Sequence, residues 1–157
     1  MPEADRDRAP AVFERLQRIP FAHCDPAGIV FYPKYFELFN GLVEDWITDE
    51  LCIPYAELIG ARRVGLPMVR LETDFKAVSR IGDLVTLALS VQKVGGSSLT
   101  LRLVCRSGDE DRVSARQVIV TTDLRTHRAT RIPQDLRSAI ERFVARSSSP
   151  ASRGTTP

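Results

Sequence analysis

Two periods of apolar residues divide the chain. From Tyr35 onward, apolar side chains recur at helical spacing: Tyr35, Phe36, Phe39, Leu42, Val43, Trp46, Ile47 and Leu51. At about 3.6 residues per turn they form one broad stripe over roughly five turns. Glu37, Glu44, Asp45 and Asp49 take other faces, Pro33 suits an early helical position, and Pro54 sets the end. A short helical turn is expected over 55–59. Beyond Gly65 the period falls to two. Val85, Leu87, Leu89 and Val91 share one face of a strand over 84–94, with Thr86, Ala88, Ser90 and Gln92 opposite. Gly95-Gly96 reads as a hairpin turn that exploits glycine's tolerance of positive φ. Leu99, Leu101, Leu103 and Cys105 alternate on the return strand. Further strands are expected over 68–78 and, after the turn at Ser107-Gly108-Asp109, over 113–122. An extended entry segment over 12–21 precedes the long helix, and an amphipathic helix over 133–144 closes the domain. One helix with one stripe, set among strands with one apolar face, predicts an α+β domain. The simplest packing is a curved antiparallel sheet wrapped around the long helix.

Length and composition narrow the picture. The 157 residues suit one domain, and 43% hydrophobic content supports a core without staples. The expected organisation is an untethered segment over 1–10, a folded domain over 11–145, and an untethered tail over 146–157 rich in Ser, Thr, Gly and Pro. A formal charge of +2 from nearly balanced acids and bases argues against a nucleic-acid binder. Cys24, Cys52 and Cys105 are odd in number and widely spaced, which fits a reducing compartment better than a disulfide framework. The charged first residues lack a signal peptide's apolar run, and no stretch is long enough to span a bilayer. The expected location is the cytoplasm, with no membrane or nucleic-acid partner.

Candidate chemistry gathers in His23-Cys24-Asp25-Pro26-Ala27-Gly28, a break in regular structure just upstream of the long helix. Asp25 has two readings. One is structural: a carboxylate before proline orders a turn. The other is catalytic. Gly28 lets backbone approach a ligand closely, and the amides opening the helix are unpaired donors with partial positive charge. A carboxylate beside such donors is the layout that acyl transfer needs. His23 and Cys24 also suggest a metal site or a thiol nucleophile. Neighbours on a strand point to opposite sides, however, and His127, the other histidine, lies in a late turn. No spacing supplies three or four metal ligands.

The run from His23 to Phe36, with its Asp-Pro-Ala-Gly-Ile-Val-Phe-Tyr-Pro-x-Tyr core, resembles the signature of the 4-hydroxybenzoyl-CoA thioesterases of the Pseudomonas type. The resemblance continues weakly through 65–69, Phe75 and Gly82-Asp83. It implies the hotdog fold and an intracellular acyl-CoA thioesterase. It also implies that Asp25 is nucleophile or general base, and that the Tyr32 backbone N–H is the oxyanion donor. The positions that meet the acyl group's phenol end fall on Asn40 and Tyr55, where the family has an aspartate and a tryptophan. Both residues found here can still hydrogen-bond. An arginine pair that faces coenzyme A phosphates in the family falls near Gly95-Gly96. The resemblance implies no metal or redox cofactor, since coenzyme A arrives with the substrate, and it implies a homodimer or homotetramer with sites between subunits. The expected substrate is an aromatic or small acyl-CoA. The alternatives are a broad short-chain acyl-CoA thioesterase and a non-catalytic acyl-CoA-binding hotdog protein.

Overall fold

The apolar stripe folds as the central helix. In the computed structural model, which describes residues 9–146, helix α1 (Pro33–Asp45) buries Tyr35, Leu38, Phe39, Leu42 and Val43. The α-helical part is shorter than the stripe predicts. A wider π turn, Trp46–Glu50, takes over and buries Trp46 and Ile47. Its closing bond runs from the Leu51 N–H to the Trp46 carbonyl at 2.9 Å. Cys52 then adopts φ 57°, and the chain leaves the helix before Pro54, which disfavours helical backbone at the residue preceding it. Helix α2 (Tyr55–Ile59) follows as expected.

The strands are β1 (Phe13–Arg18), β2 (Val64–Gly65), β3 (Met68–Phe75), β4 (Leu84–Val94), β5 (Ser98–Ser107), β6 (Glu110–Val120), β7 (Thr122–Asp123) and β8 (Arg128–Ala129). Five of them form an antiparallel sheet in the order β1-β4-β5-β6-β3. The register aligns the apolar alternations into rows. Leu87 faces Cys105, which faces Val113; Leu89 faces Leu103, which faces Ala115. Register shifts at Val91/Lys93, Cys105/Arg106 and Met68/Arg70 bend the strands, as β-bulges do. Helix α3 (Gln134–Ala145) adds Leu136, Ala139, Ile140 and Phe143 to the core, with Phe143 edge-on to Trp46 at 5.5 Å between ring centroids. A curved sheet around one long helix is the α+β hotdog arrangement.

Several local expectations need correction. The entry strand stops at Arg18; Pro20 has no N–H to pair, and Phe21–His23 is a single 3-10 turn. Neither Gly95 nor Gly96 has positive φ, the described glycines that do being Gly28, Gly82 and Gly108. Space favours glycine at position 95, where a Cβ would lie 2.5 Å from the Ser98 hydroxyl oxygen, which would have to rotate away, and 3.3 Å from the Ser98 carbonyl oxygen. Strand β6 starts at Glu110, earlier than predicted. Its expected end separates as β7, which joins β2 and β8 in a small second sheet. The expectations for 1–8 and 147–157 lie outside the described residues.

Candidate active site

The Asp25 loop is locked by its own backbone. Asp25 Oδ1 accepts a hydrogen bond from the Ala27 N–H at 2.8 Å, an Asx turn. The Gly28 N–H donates to the Asp25 carbonyl at 2.9 Å, and the Asp25 N–H donates to the Ile29 carbonyl at 2.9 Å. Cys24 and Val30 pair as an isolated antiparallel bridge. Closing so tight a reversal puts Gly28 at φ 75°, which accounts for the glycine, since nothing lies within 4 Å of where its Cβ would be. The turn-ordering reading of Asp25 is therefore realised. It occupies one carboxylate oxygen, and Oδ2 accepts no hydrogen bond among the described residues.

A second loop clamps the first. The Val30 N–H donates to the Ser79 carbonyl at 2.9 Å, the Ile81 N–H donates to the Gly28 carbonyl at 3.1 Å, and Ile29 bridges Arg80. Asp83 holds that clamp. Its Oδ2 accepts from the Arg80 N–H at 2.8 Å and from Arg112 Nη1 at 3.1 Å. Arg112 also donates to the Val78 carbonyl at 2.5 Å. The Arg80 amide, with help from Arg112 and against partial burial, holds the Asp83 carboxyl below the usual carboxylate range. A folded-state value below the unfolded one, about 3.9, contributes stability that is fully present above the unfolded value. That stability is lost as pH falls through the lower folded value. Asp83→Asn should therefore lose less stability than the wild type when acidified from pH 6 to pH 3. Urea unfolding at the two pH values measures this, and equal losses would contradict the assignment.

Tyr32 stands at the mouth of α1, with φ −51° and ψ −36°, and Pro33 follows as the first helical residue. Proline has no N–H, and the Tyr32 N–H has no acceptor among the described residues. The Phe31 N–H donates to the His23 carbonyl at 2.9 Å, tying the chain before Tyr32 to the chain before Asp25. Tyr32 lines a cleft of about 310 Å³ together with Val30, Tyr35, Phe75 and residues 76–78. Asp25 is not among the residues that line this cleft. The Tyr32 ring is exposed and meets Phe31 and Phe75 edge-on.

The other candidates read differently in place. His23 ends the 3-10 turn, not a strand, and its Nδ1 is buried without a partner. Cys24 directs its thiol towards the Pro20 carbonyl at 3.6 Å. Burial pushes the Cys105 thiol up to about 11, which leaves it protonated and unreactive at neutral pH. Among the described residues no cluster of three or more His, Cys, Asp or Glu is placed to hold a metal ion, and no helix is long and apolar enough to cross a membrane.

Asn40 and Tyr55 come together at a second cavity of about 280 Å³, between α1 and the sheet. Asn40 lies eight residues along α1 from Tyr32, about 12 Å of rise. Tyr55 opens α2, its N–H donating to Thr48 Oγ1 at 3.2 Å. Burial raises its phenol pKa, and the nearby charge of Glu44 adds to the rise. Glu44 also lines this cavity, as does Gln117 of β6. The sequence reading missed Gln117. Its signal was a polar residue in the inward alternation of Val113, Ala115, Gln117 and Ile119.

Comparison with known proteins agrees with this fold. One solved relative is a gentisyl-coenzyme A thioesterase, 27% identical with a TM-score of 0.74, covering 82% of this chain and 99% of its own. A 1,4-dihydroxy-2-naphthoyl-CoA thioesterase from Synechocystis shares the fold at 20% identity and a TM-score of 0.75, covering 82% of this chain and 95% of its own. The 4-hydroxybenzoyl-CoA thioesterase of Pseudomonas sp. (strain CBS-3) is 28% identical over 78 residues. That alignment takes in 49% of this chain and 55% of the relative, so the chain spans about half the length of the curated protein it matches. The model of the thioesterase-like superfamily matches residues 19–140, from the end of the entry strand into the last helix, and the chain belongs to that superfamily.

Proposed function

We propose that this protein hydrolyses aromatic acyl-CoA thioesters, with Asp25 as the reacting carboxylate and the Tyr32 N–H as the oxyanion donor. One observation supports the reading: a carboxylate with a free oxygen sits in a doubly clamped loop, and the Phe31–His23 backbone bond ties that loop to the chain that carries the unpaired amide at the start of α1. Rigid placement of both groups favours a transition state whose charge develops on the thioester oxygen. The names of the three relatives described above, each a thioesterase of an aromatic CoA ester, support the acyl class. Two routes fit. Asp25 Oδ2 attacks the carbonyl carbon, coenzyme A departs as the thiolate, and water opens the mixed anhydride to regenerate the carboxylate. Alternatively, Asp25 removes a proton from a water that attacks directly, and the departing thiolate takes up the proton.

The reading includes a homodimer or larger assembly working in the cytoplasm. Strand β3 is a sheet edge whose Met68, Val69 and Phe75 are exposed, next to exposed Phe31 and Tyr32. An edge of that kind is satisfied by pairing with a second copy. Pairing there would bring a second chain against the Tyr32 cleft, so the site would lie between subunits.

The test is thiol release from a panel of benzoyl, hydroxybenzoyl, phenylacetyl and aliphatic CoA esters, with the native mass measured on the same preparation. Aromatic esters should exceed short aliphatic ones by at least about tenfold in kcat/KM. The mass should be a multiple of that of one chain. Saturable CoA-ester binding without thiol release would reject the hydrolytic reading in favour of a binding protein, and a monomer that turns over fully would reject the shared site.

A further inference from the structure

Arg112 has no partner on β5. Cys105 faces Val113 and Arg106 faces Asp111, so one step along β5 spans two along β6, and Arg112 is the extra residue of a β-bulge. In a regular strand it would alternate with the inward Val113 and point to solvent. A bulge re-aims the side chain it carries. Here that side chain is only 15% exposed. Burial raises the pKa values of the Tyr35 hydroxyl and the Cys105 thiol, and the Arg112 charge offsets part of each rise. That agrees with a guanidinium turned to the core side of the sheet.

The re-aimed residue grips the segment 76–83 at four points. Its Nη1 donates to the Val78 carbonyl at 2.5 Å and to Asp83 Oδ2 at 3.1 Å. Its own carbonyl accepts from the Lys76 N–H at 2.8 Å and the Ala77 N–H at 3.1 Å. Exposed Glu110 lies 2.6 Å from its Nε as a second counter-ion. A cation drawn this far out of water is weak support for a fold, since well-packed apolar residues serve as well. Its use lies in what the segment does. Apart from an isolated bridge at Arg80, residues 76–83 form no helix or strand of their own. Yet this segment touches both the Asp25 loop and the cleft that Tyr32 lines. The Ser79 carbonyl takes the Val30 N–H, the Ile81 N–H reaches the Gly28 carbonyl, and residues 76–78 form part of the cleft wall.

We propose that Arg112 is a positioning residue for hydrolysis: bulged out of β6 and anchored on Val78 and Asp83, it sets the 76–83 segment and, through it, the placement of Asp25 relative to the Tyr32 amide. The proposal rests on the thioesterase reading above and adds the residue that holds its two reacting groups in register. Arg112 acts through Ser79 and Ile81, and among the described residues it makes no hydrogen bond to Asp25 or Tyr32.

The experiment measures thiol release from the best aromatic CoA ester, and backbone amide exchange, for wild type, Arg112→Met and Arg112→Lys. Arg112→Met should lower kcat by about 10- to 100-fold, the scale of a misplacement of about an ångström, with KM within about threefold. Its Val30 and Ile81 amides should exchange at least about tenfold faster, while those of β4 and β5 keep their wild-type protection. Lysine keeps the charge without the rigid fork, so Arg112→Lys should recover only part of kcat and of the protection. Adding Asp83→Asn to Arg112→Met should cost little more than the methionine variant alone, because both break one brace. Full turnover by Arg112→Met, or a fall in kcat with Val30 and Ile81 exchange unchanged, would overturn the positioning role. Protection lost evenly across the sheet would overturn it too, as a purely structural effect. If the methionine variant does not fold, Arg112→Lys decides alone, and wild-type kcat with wild-type exchange in it would end the proposal. A wild type that releases no thiol from any ester would overturn the thioesterase reading and this one together, a result distinct from a defect confined to the variants.

Discussion

Asp25→Asn should lower kcat on the best aromatic ester by about 10²- to 10⁴-fold, the range expected when a positioned carboxylate is lost from the reacting centre. The substitution is chosen for what it preserves. Asparagine keeps an acceptor at the Oδ1 position, so the bond from the Ala27 N–H at 2.8 Å, and with it the loop, can persist. It removes the negative charge and the basicity of the other oxygen. KM and the thermal midpoint should therefore move little while kcat collapses. Asp25→Ala removes the turn and the carboxylate at once and does not separate the two roles. If Asp25→Asn retains near-wild-type turnover, the carboxylate serves the turn alone. If kcat and the thermal midpoint fall together, the loop has been lost, and the chemistry assigned to Asp25 loses its support.

The parts of the molecule that were legible in the sequence have long, repeated signals. The stripe from Tyr35 to Leu51 and the alternation of 84–94 and 99–105 each sample one face many times, so the central helix and its sheet were readable. Two-residue strands such as Val64–Gly65 and Arg128–Ala129 have no period to detect, and their pairing depends on tertiary contact. The π turn at Trp46–Glu50 keeps nearly the same apolar spacing as an α-helix, which is why the stripe overran the helix end. Gly95 misled because glycine has two uses, and here the crowding by Ser98 decides over dihedral freedom. At the site, the loop chemistry of Asp25, Pro26 and Gly28 was local and therefore readable. Gln117 reaches the same cavity as Asn40 only through the sheet register, and its sole trace was one polar residue in an inward row.

Trp46→Ala should cost about 3–5 kcal/mol of stability, the usual toll for truncating a large buried aromatic. Against a total stability of roughly 5–15 kcal/mol, that loss brings the fold close to its limit. Trp46 is 0% exposed and joins the π turn that follows α1 to α3 through its edge-on contact with Phe143. The void beside it is only about 10 Å³, too small to absorb the change. Trp46→Phe should cost much less. The indole N–H is buried without a partner, so deleting it loses no hydrogen bond and removes an unpaired donor. Urea unfolding of the two variants gives the comparison, and a phenylalanine variant as damaged as the alanine one would refute it. Function should follow packing. Val43 and Glu44, on the turn just before Trp46, line the cavity of about 280 Å³ that also takes in Asn40 and Tyr55. A helix end no longer held against α3 should blur discrimination among acyl groups before it slows hydrolysis itself, because Asp25 and Tyr32 are clamped independently at the opposite end.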